Sequence, residues 1–184
     1  MPGRVRSSLI RGNNGGDALV AARHLSHFGY CPSVICPKIP EKPLFQNLVT
    51  QCNNLNIPFL DGPISRHFLN QSLILDGIFG FSFKGPIRAP FDEMISSLKS
   101  CKIPIVSIDI PSGWDVELGN TDGIGLEPSL LISLTYPKKC ASKFMGKHYI
   151  GGRFLPDFIA KKYSICAPSF PNADQFVEIQ ELLE

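Results

Sequence analysis

Three short polar segments of this 184-residue chain carry side chains that could do chemistry. The first is Gly12-Asn13-Asn14-Gly15-Gly16-Asp17. Glycines at a strand-to-helix handover let backbone approach a ligand, and a helix N-terminus offers N–H groups to phosphate. The segment is neither G-x-G-x-x-G nor a Walker loop, because no Lys-Ser/Thr follows. It reads equally well as a tight turn in which Asn caps the helix and Asp17 complements its dipole. The second segment begins at Asp76 and continues Gly77-Ile78-Phe79-Gly80-Phe81-Ser82-Phe83-Lys84-Gly85-Pro86. Its three phenylalanines could wall a flat ring, and Lys84 or Arg88 could meet phosphate. Alternatively the rings are core and Asp76 caps a turn. The third is Asp109-Ile110-Pro111-Ser112-Gly113-Trp114. A carboxylate at the mouth of a buried strand is partly desolvated, a setting suited to proton transfer. Ser112 has no G-x-S-x-G context or neighbouring His, which argues against a hydrolase nucleophile. Asp109 and Ser112 could instead cap backbone N–H groups.

Taken together, Asn14, Asp76 and Ser112 could form a hard oxygen cage for a cation. With one carboxylate in the cage, a monovalent ion fits better than magnesium or calcium. His24 and His27 should lie on the outer flank of a helix, and His67 and His148 show no partner signal, so all four read as bystanders. The six cysteines, at 31, 36, 52, 101, 140 and 166, form no Cys-x-x-Cys pair. They read as reduced, buried thiols of an intracellular protein.

The elements that must position these segments follow from periodicity. A first helix should begin in Gly15-Gly16-Asp17 and run to about Phe28, with Gly29 as its stop. Ser33 to Cys36 reads as a strand and Pro43 to Asn54 as a helix. Pro58 to Leu60 is a short strand, and Ser72 to Leu75 a firmer one that stops at Asp76. A helix from Pro90 to Ser100 precedes the clearest buried strand, Ile105 to Ile108. Another strand covers Leu130 to Leu134. A short helix over Lys138 to Phe144, the segment His148 to Phe154 and a helix from about Pro156 to Tyr163 follow. Beyond Cys166, Pro168 and Pro171 suggest an extended tail. Strands alternating with helices imply βαβ units, a mostly parallel sheet and one domain over 1–184. Ligands bind outside the carboxyl ends of such strands, which is where all three polar segments fall.

Composition narrows the function classes. The chain is 43% hydrophobic and 18% charged, with a net charge of +2 and no Lys/Arg run, so a nucleic-acid surface is not expected. No apolar run approaches the ~20 residues that span a bilayer. The start, Met1 to Ser8, is basic and free of acids, like the tail of a transit peptide.

As a set, the first segment with Leu19 to Leu25, the run Asp76 to Gly85, Ser107 to Asp115 and Pro137-Lys138-Lys139-Cys140-Ala141 resemble the eukaryotic NAD(P)H-hydrate epimerases. This is the YjeF amino-terminal domain family, which includes the apolipoprotein A-I-binding protein. The similarity covers about residues 9–165, leaving 166–184 as the tail. The resemblance implies a Rossmann-like three-layer αβα sandwich. It also implies interconversion of the R and S epimers of hydrated NADH or NADPH, so that a separate stereospecific dehydratase can restore all of the cofactor. By similarity, Asn13, Asn14, Gly15, Gly16, Asp17, Gly80, Phe81, Ser82, Phe83, Lys84, Gly85 and Pro86 hold the substrate. Asp109 would contact it, and as a carboxylate beside the ring it is the residue expected to shuttle the proton and stabilise the ring cation. Asn14, Asp76 and Ser112 hold one potassium ion. A homodimer is implied too, in a cytoplasmic setting or, with a transit peptide upstream, a mitochondrial one.

The chain departs from the family pattern at its start. Ser7-Ser8-Leu9-Ile10-Arg11 stands where members have an apolar strand ending Cys-Gly-Pro-Gly, and the helices ahead of that strand are absent. A truncated amino end with a weakened central strand is therefore expected, leaving neighbouring backbone groups unpartnered at about 1–3 kcal/mol each. Ala18 and Tyr136 replace smaller residues. Two rival readings remain: a non-catalytic binding protein of the same family, and a Rossmann dehydrogenase, disfavoured by the missing G-x-G-x-x-G and ribose-binding acid.

Overall fold

The computed structural model describes residues 5–10, 12–68 and 71–179. Eight strands form one sheet: β1 (Val5–Ile10), β2 (Val34–Ile35), β3 (Phe59–Leu60), β4 (Leu73–Gly77), β5 (Ile105–Ile108), β6 (Leu130–Leu134), β7 (Lys147–Gly151) and β8 (Phe176–Ile179). Their spatial order is β3-β2-β1-β4-β5-β6-β7-β8. Every pairing is parallel except the last, β7 with β8. Four α-helices accompany the sheet: α1 (Gly12–His27), α2 (Pro43–Asn54), α3 (Phe91–Ser100) and α4 (Asp157–Lys162).

Alternation along the central strands separates two apolar layers, as the pleat requires. Leu75, Val106 and Ile108 join Ala18, Leu19 and Ala22 of α1 and Phe45 and Cys52 of α2. Ile74 and Ile105 face the other way, against Phe91, Met94, Ile95 and Leu98 of α3. The result is the expected αβα sandwich. Within it α3 shows why its segment folds as it does. Its four apolar residues recur at helical spacing, and Asp92 and Glu93 lie in its first turn, where negative charge suits the dipole. No helix is long and apolar enough to cross a membrane among the described residues.

The structure corrects the sequence reading in several places. The expected weak first strand is a paired strand: β1 lies beside β2 at Leu9 and Ile35 and runs along β4, with one register shift between Ser7 and Leu9. Main-chain pairing does not depend on side-chain hydropathy, so a Ser-Ser pair can occupy a central ladder. Helix α1 starts at Gly12 rather than Gly15, which folds the first polar segment into the helix itself. Asp76 lies inside β4 rather than after it. Beyond Cys166 the chain runs without helix, then adds the antiparallel edge strand β8. None of the six cysteines is in a disulfide, yet only Cys52 and Cys140 are buried; Cys31 and Cys166 are exposed. His24 and His27 are exposed as expected. His148 is not idle: it is buried and shares a 2.8 Å hydrogen bond with the Ser133 hydroxyl. The His67 ring likewise meets the Asp61 carbonyl at 2.9 Å.

Candidate active site

The order β3-β2-β1-β4-β5 reverses between β1 and β4. From β1 the chain winds outward to β2 and β3, then returns to β4 and winds the other way. Such a switch point opens a crevice beyond the carboxyl ends of the strands, because the connecting segments diverge there. Three segments meet at this crevice: the start of α1, the loop after β4 and the turn after β5.

Asp76 is fully buried at the floor. One carboxylate oxygen accepts the Ser112 hydroxyl at 2.5 Å and the Ile78 N–H at 3.2 Å. The other accepts the Ser107 hydroxyl at 2.7 Å and the Ser112 N–H at 2.9 Å. Burial pushes the Asp76 pKa up, and the hydrogen bonds from Ser112, Ser107 and Ile78 pull against it. Phe79 ties the three segments together. Its N–H donates to the Ser112 hydroxyl at 2.9 Å, and its carbonyl accepts the Asn14 amide at 2.7 Å. The same Asn14 amide donates to the Ile108 carbonyl at 3.1 Å, so it bridges β5 and the loop after β4. Close approach here requires glycine: a Cβ on Gly80 would stand 2.9 Å from the Asn14 Cβ.

Above this floor lies a cleft of about 530 Å³, within the range of cofactor-sized ligand sites. Asn14, Asp17, Gly80, Phe81, Ser82, Phe83, Lys84, Pro86, Arg88 and Asp109 line it with Ile78 and Phe79. The three phenylalanines divide between the two readings of them. Phe79 is core, stacked on Phe83 at 4.3 Å between centroids and packed against Phe91 at 5.4 Å. Phe81 is 64% exposed and free to meet a ligand, and Phe83 is half-buried between the two.

Asp109 follows β5 in the left-handed region, at φ 66°, which for a non-glycine residue costs about 1 kcal/mol or more. Its N–H donates to the Ile132 carbonyl at 2.7 Å, and its carboxylate accepts the Leu134 N–H at 3.1 Å. The strained backbone thus turns the side chain to the end of β6. There Lys138 forms an ion pair with it, while also donating to the carbonyls of Leu134 at 3.0 Å and Tyr136 at 3.2 Å. Asp17 shares the cleft. Its side chain is exposed, yet the surrounding protein removes enough hydration to raise its pKa; the Asp109 charge adds to the rise and Lys138 opposes it.

Most residues singled out from sequence therefore converge. Those that do not are Gly15 and Gly16, buried within α1, where Gly16 faces Phe45 and Leu48, and Gly85, which is exposed and absent from the lining. The helix begins three residues early and draws both glycines into its packed face. Asn13 lies in α1, and its side chain falls outside the described residues. Sequence reasoning missed Lys138 and Ser107 as site residues. The strand-end rule already in use would have found Lys138, just past β6; Ser107 is the one polar residue of the run Ile105 to Ile108. Among the described residues no three His, Cys, Asp or Glu side chains gather as a metal site.

Comparison with known proteins agrees with this fold. The family model described as YjeF-related protein N-terminus matches residues 10–140. The NAD(P)H-hydrate epimerase of Puccinia graminis f. sp. tritici is 49% identical over 168 residues, covering 91% of this chain and 70% of that protein. The crystal structure of yeast ynu0, YNL200c, superposes with a TM-score of 0.91 at 39% identity, covering 96% of this chain and 77% of that one. The chain belongs to the family of YjeF-related protein N-termini.

Proposed function

We propose that this protein is an NAD(P)H-hydrate epimerase, interconverting the R and S epimers of hydrated NADH and NADPH in cofactor repair. The observation that carries the reading is the cleft. It joins an aromatic wall, two rim cations and a carboxylate within one cofactor-sized space at the switch point of a chain 49% identical to such an enzyme. The substrate offers matching parts: a flat ring for Phe81 and Phe83, phosphates for Lys84 and Arg88, and a hydroxylated ring carbon next to nitrogen.

The reaction is loss and return of water. The hydroxyl takes a proton and departs with the C–O bonding pair; the ring-nitrogen lone pair closes a C=N bond, leaving a cation. Water then adds at either face and gives up a proton. Asp109 supplies the negative charge that stabilises the cation, and its Lys138 partner and the Leu134 N–H hold it preorganised. Because only the configuration changes, a stereospecific dehydratase is the reaction that must consume the product. The homodimer belongs to the same reading.

Potassium at Asn14, Asp76 and Ser112 is also proposed. In its support, Asp76 is wholly buried and has no ion-pair partner among the described residues, and an uncompensated buried charge is costly. One carboxylate among neutral oxygens suits a monovalent ion. When bound, such an ion supplies a fixed positive charge beneath the cleft.

The test is direct. Purified protein is mixed with one resolved epimer of hydrated NADPH and the two epimers are followed by chromatography. The reading predicts exchange at least about a hundredfold faster than the buffer rate; exchange at the buffer rate by folded protein overturns it.

A further inference from the structure

Epimerisation by loss and return of water asks for proton exchange twice. A group must protonate the hydroxyl that departs from one face of the ring, and a group must take the proton of the water that adds to the other. In the reverse direction the two exchange roles. The cleft offers two carboxylates for this work, Asp109 from the end of β5 and Asp17 from α1. Resting on the epimerase reading above, we propose that Asp17 is a second catalytic residue, exchanging protons with the reacting hydroxyl or water while Asp109 serves the other half of the reaction.

The two carboxylates differ in their surroundings. Asp109 is engaged by the Lys138 ammonium and the Leu134 N–H. The Asp17 carboxylate has no hydrogen bond or ion pair among the described residues, although it lines the same cleft. A simpler role in complementing the α1 dipole does not suit it. The helix begins at Gly12, so Asp17 lies beyond the first turn, where the dipole effect has fallen away. The charged groups that act on it are Asp109 and its partner Lys138; Lys84 and Arg88 line the same cleft at the exposed rim, where a diphosphate needs them. Burial and the Asp109 charge both favour protonated Asp17, the form that can give a proton to the leaving hydroxyl. The step balances. Protonated Asp17 gives its proton to the leaving hydroxyl, water departs, a second water forms the new C–O bond, and its proton passes to the Asp109 carboxylate. The reverse turnover, or solvent, restores both.

The experiment compares Asp17→Asn, Asp17→Glu and wild type in epimer exchange, alongside calorimetric binding of intact NADPH. Asp17→Asn should lower kcat by about a hundredfold or more while the NADPH Kd stays within about threefold, and Asp17→Glu should recover part of the rate. The wild-type kcat/KM should fall as pH rises through the raised Asp17 pKa. A kcat for Asp17→Asn within about threefold of wild type overturns the proposal, as does a loss of NADPH affinity matching the loss of rate. Should Asp17→Asn fail to fold, a wild-type profile flat over about pH 4 to 9 overturns it equally. Wild-type protein without activity removes the epimerase reading and this proposal together; an active Asp17→Asn removes this proposal alone.

Discussion

Lys138 reaches from just beyond β6 to the Asp109 carboxylate at the end of β5, and two backbone carbonyls hold its ammonium there. The pair is largely shielded, with side-chain exposures of 21% and 12%. Removing the cation therefore leaves Asp109 partly desolvated with one N–H donor. Lys138→Met should lower kcat for epimer exchange by about tenfold to a hundredfold and stability by about 1–3 kcal/mol in urea unfolding. Lys138→Arg should recover more of the stability than of the rate, because a planar guanidinium cannot place one charge among the same three acceptors. A Lys138→Met protein with unchanged kcat would show that the pair is only structural.

Gly77 closes β4 directly against α1. A Cβ there would stand 2.6 Å from the Ala18 Cβ and 3.1 Å from the Asn14 carbonyl oxygen. Gly77→Ala should destabilise the fold by about 1–3 kcal/mol. Ala18→Gly should relieve part of that cost, so thermal melts of the two single variants and the double variant should show a coupling energy of about 0.5 kcal/mol or more. Additive losses would contradict the packing described.

His148 is buried against Phe144 and the Ser133 hydroxyl, and burial pushes its pKa from 6.5 down to about 4. The folded state thus binds its proton less readily than the unfolded chain does. The stability from neutral burial is fully present above about pH 6.5 and is lost progressively as pH falls to about 4. Urea midpoints measured across that window should fall with pH, and His148→Gln should flatten the decline. A decline of equal slope in the variant would assign it elsewhere.

These three relationships mark what the sequence could reveal. Strand runs such as Ile105 to Ile108 and helical spacing such as that of Phe91, Met94, Ile95 and Leu98 were legible, because each burial pattern is local. The convergence of Asn14, Asp76 and Ser112 was legible too, since strand ends share one edge in a parallel sheet. Lys138 was legible only as a position just past β6; its partner Asp109, 29 residues away in sequence, is named by no local pattern. Strand β1 was misjudged for a related reason. Its side chains are weakly apolar, but its place is set by ladders to β2 and β4 that only the assembled sheet provides. The same holds for α1, whose first turn takes in a Gly-rich segment that propensity alone would leave as loop.

Asp76 provides a test of the cation site that needs no catalysis. An ion bound only by the folded protein raises stability by mass action, about 2.7 kcal/mol at a hundredfold excess over Kd. Replacing lithium chloride by potassium chloride at constant ionic strength should raise the wild-type melting temperature saturably. Asp76→Asn should abolish that response. Equal melting in both salts would remove the proposed ion.

The claim on which the mechanism turns is that water leaves the ring and returns within this cleft. It is tested by running epimer exchange in oxygen-18 water and measuring, by mass spectrometry, label at the ring hydroxyl of each newly formed epimer. One solvent oxygen should appear for every inversion in the presence of wild-type protein, and Asp109→Asn should incorporate label only at the buffer rate. Enzyme-accelerated inversion without label would contradict the account, because the C–O bond would then never have broken.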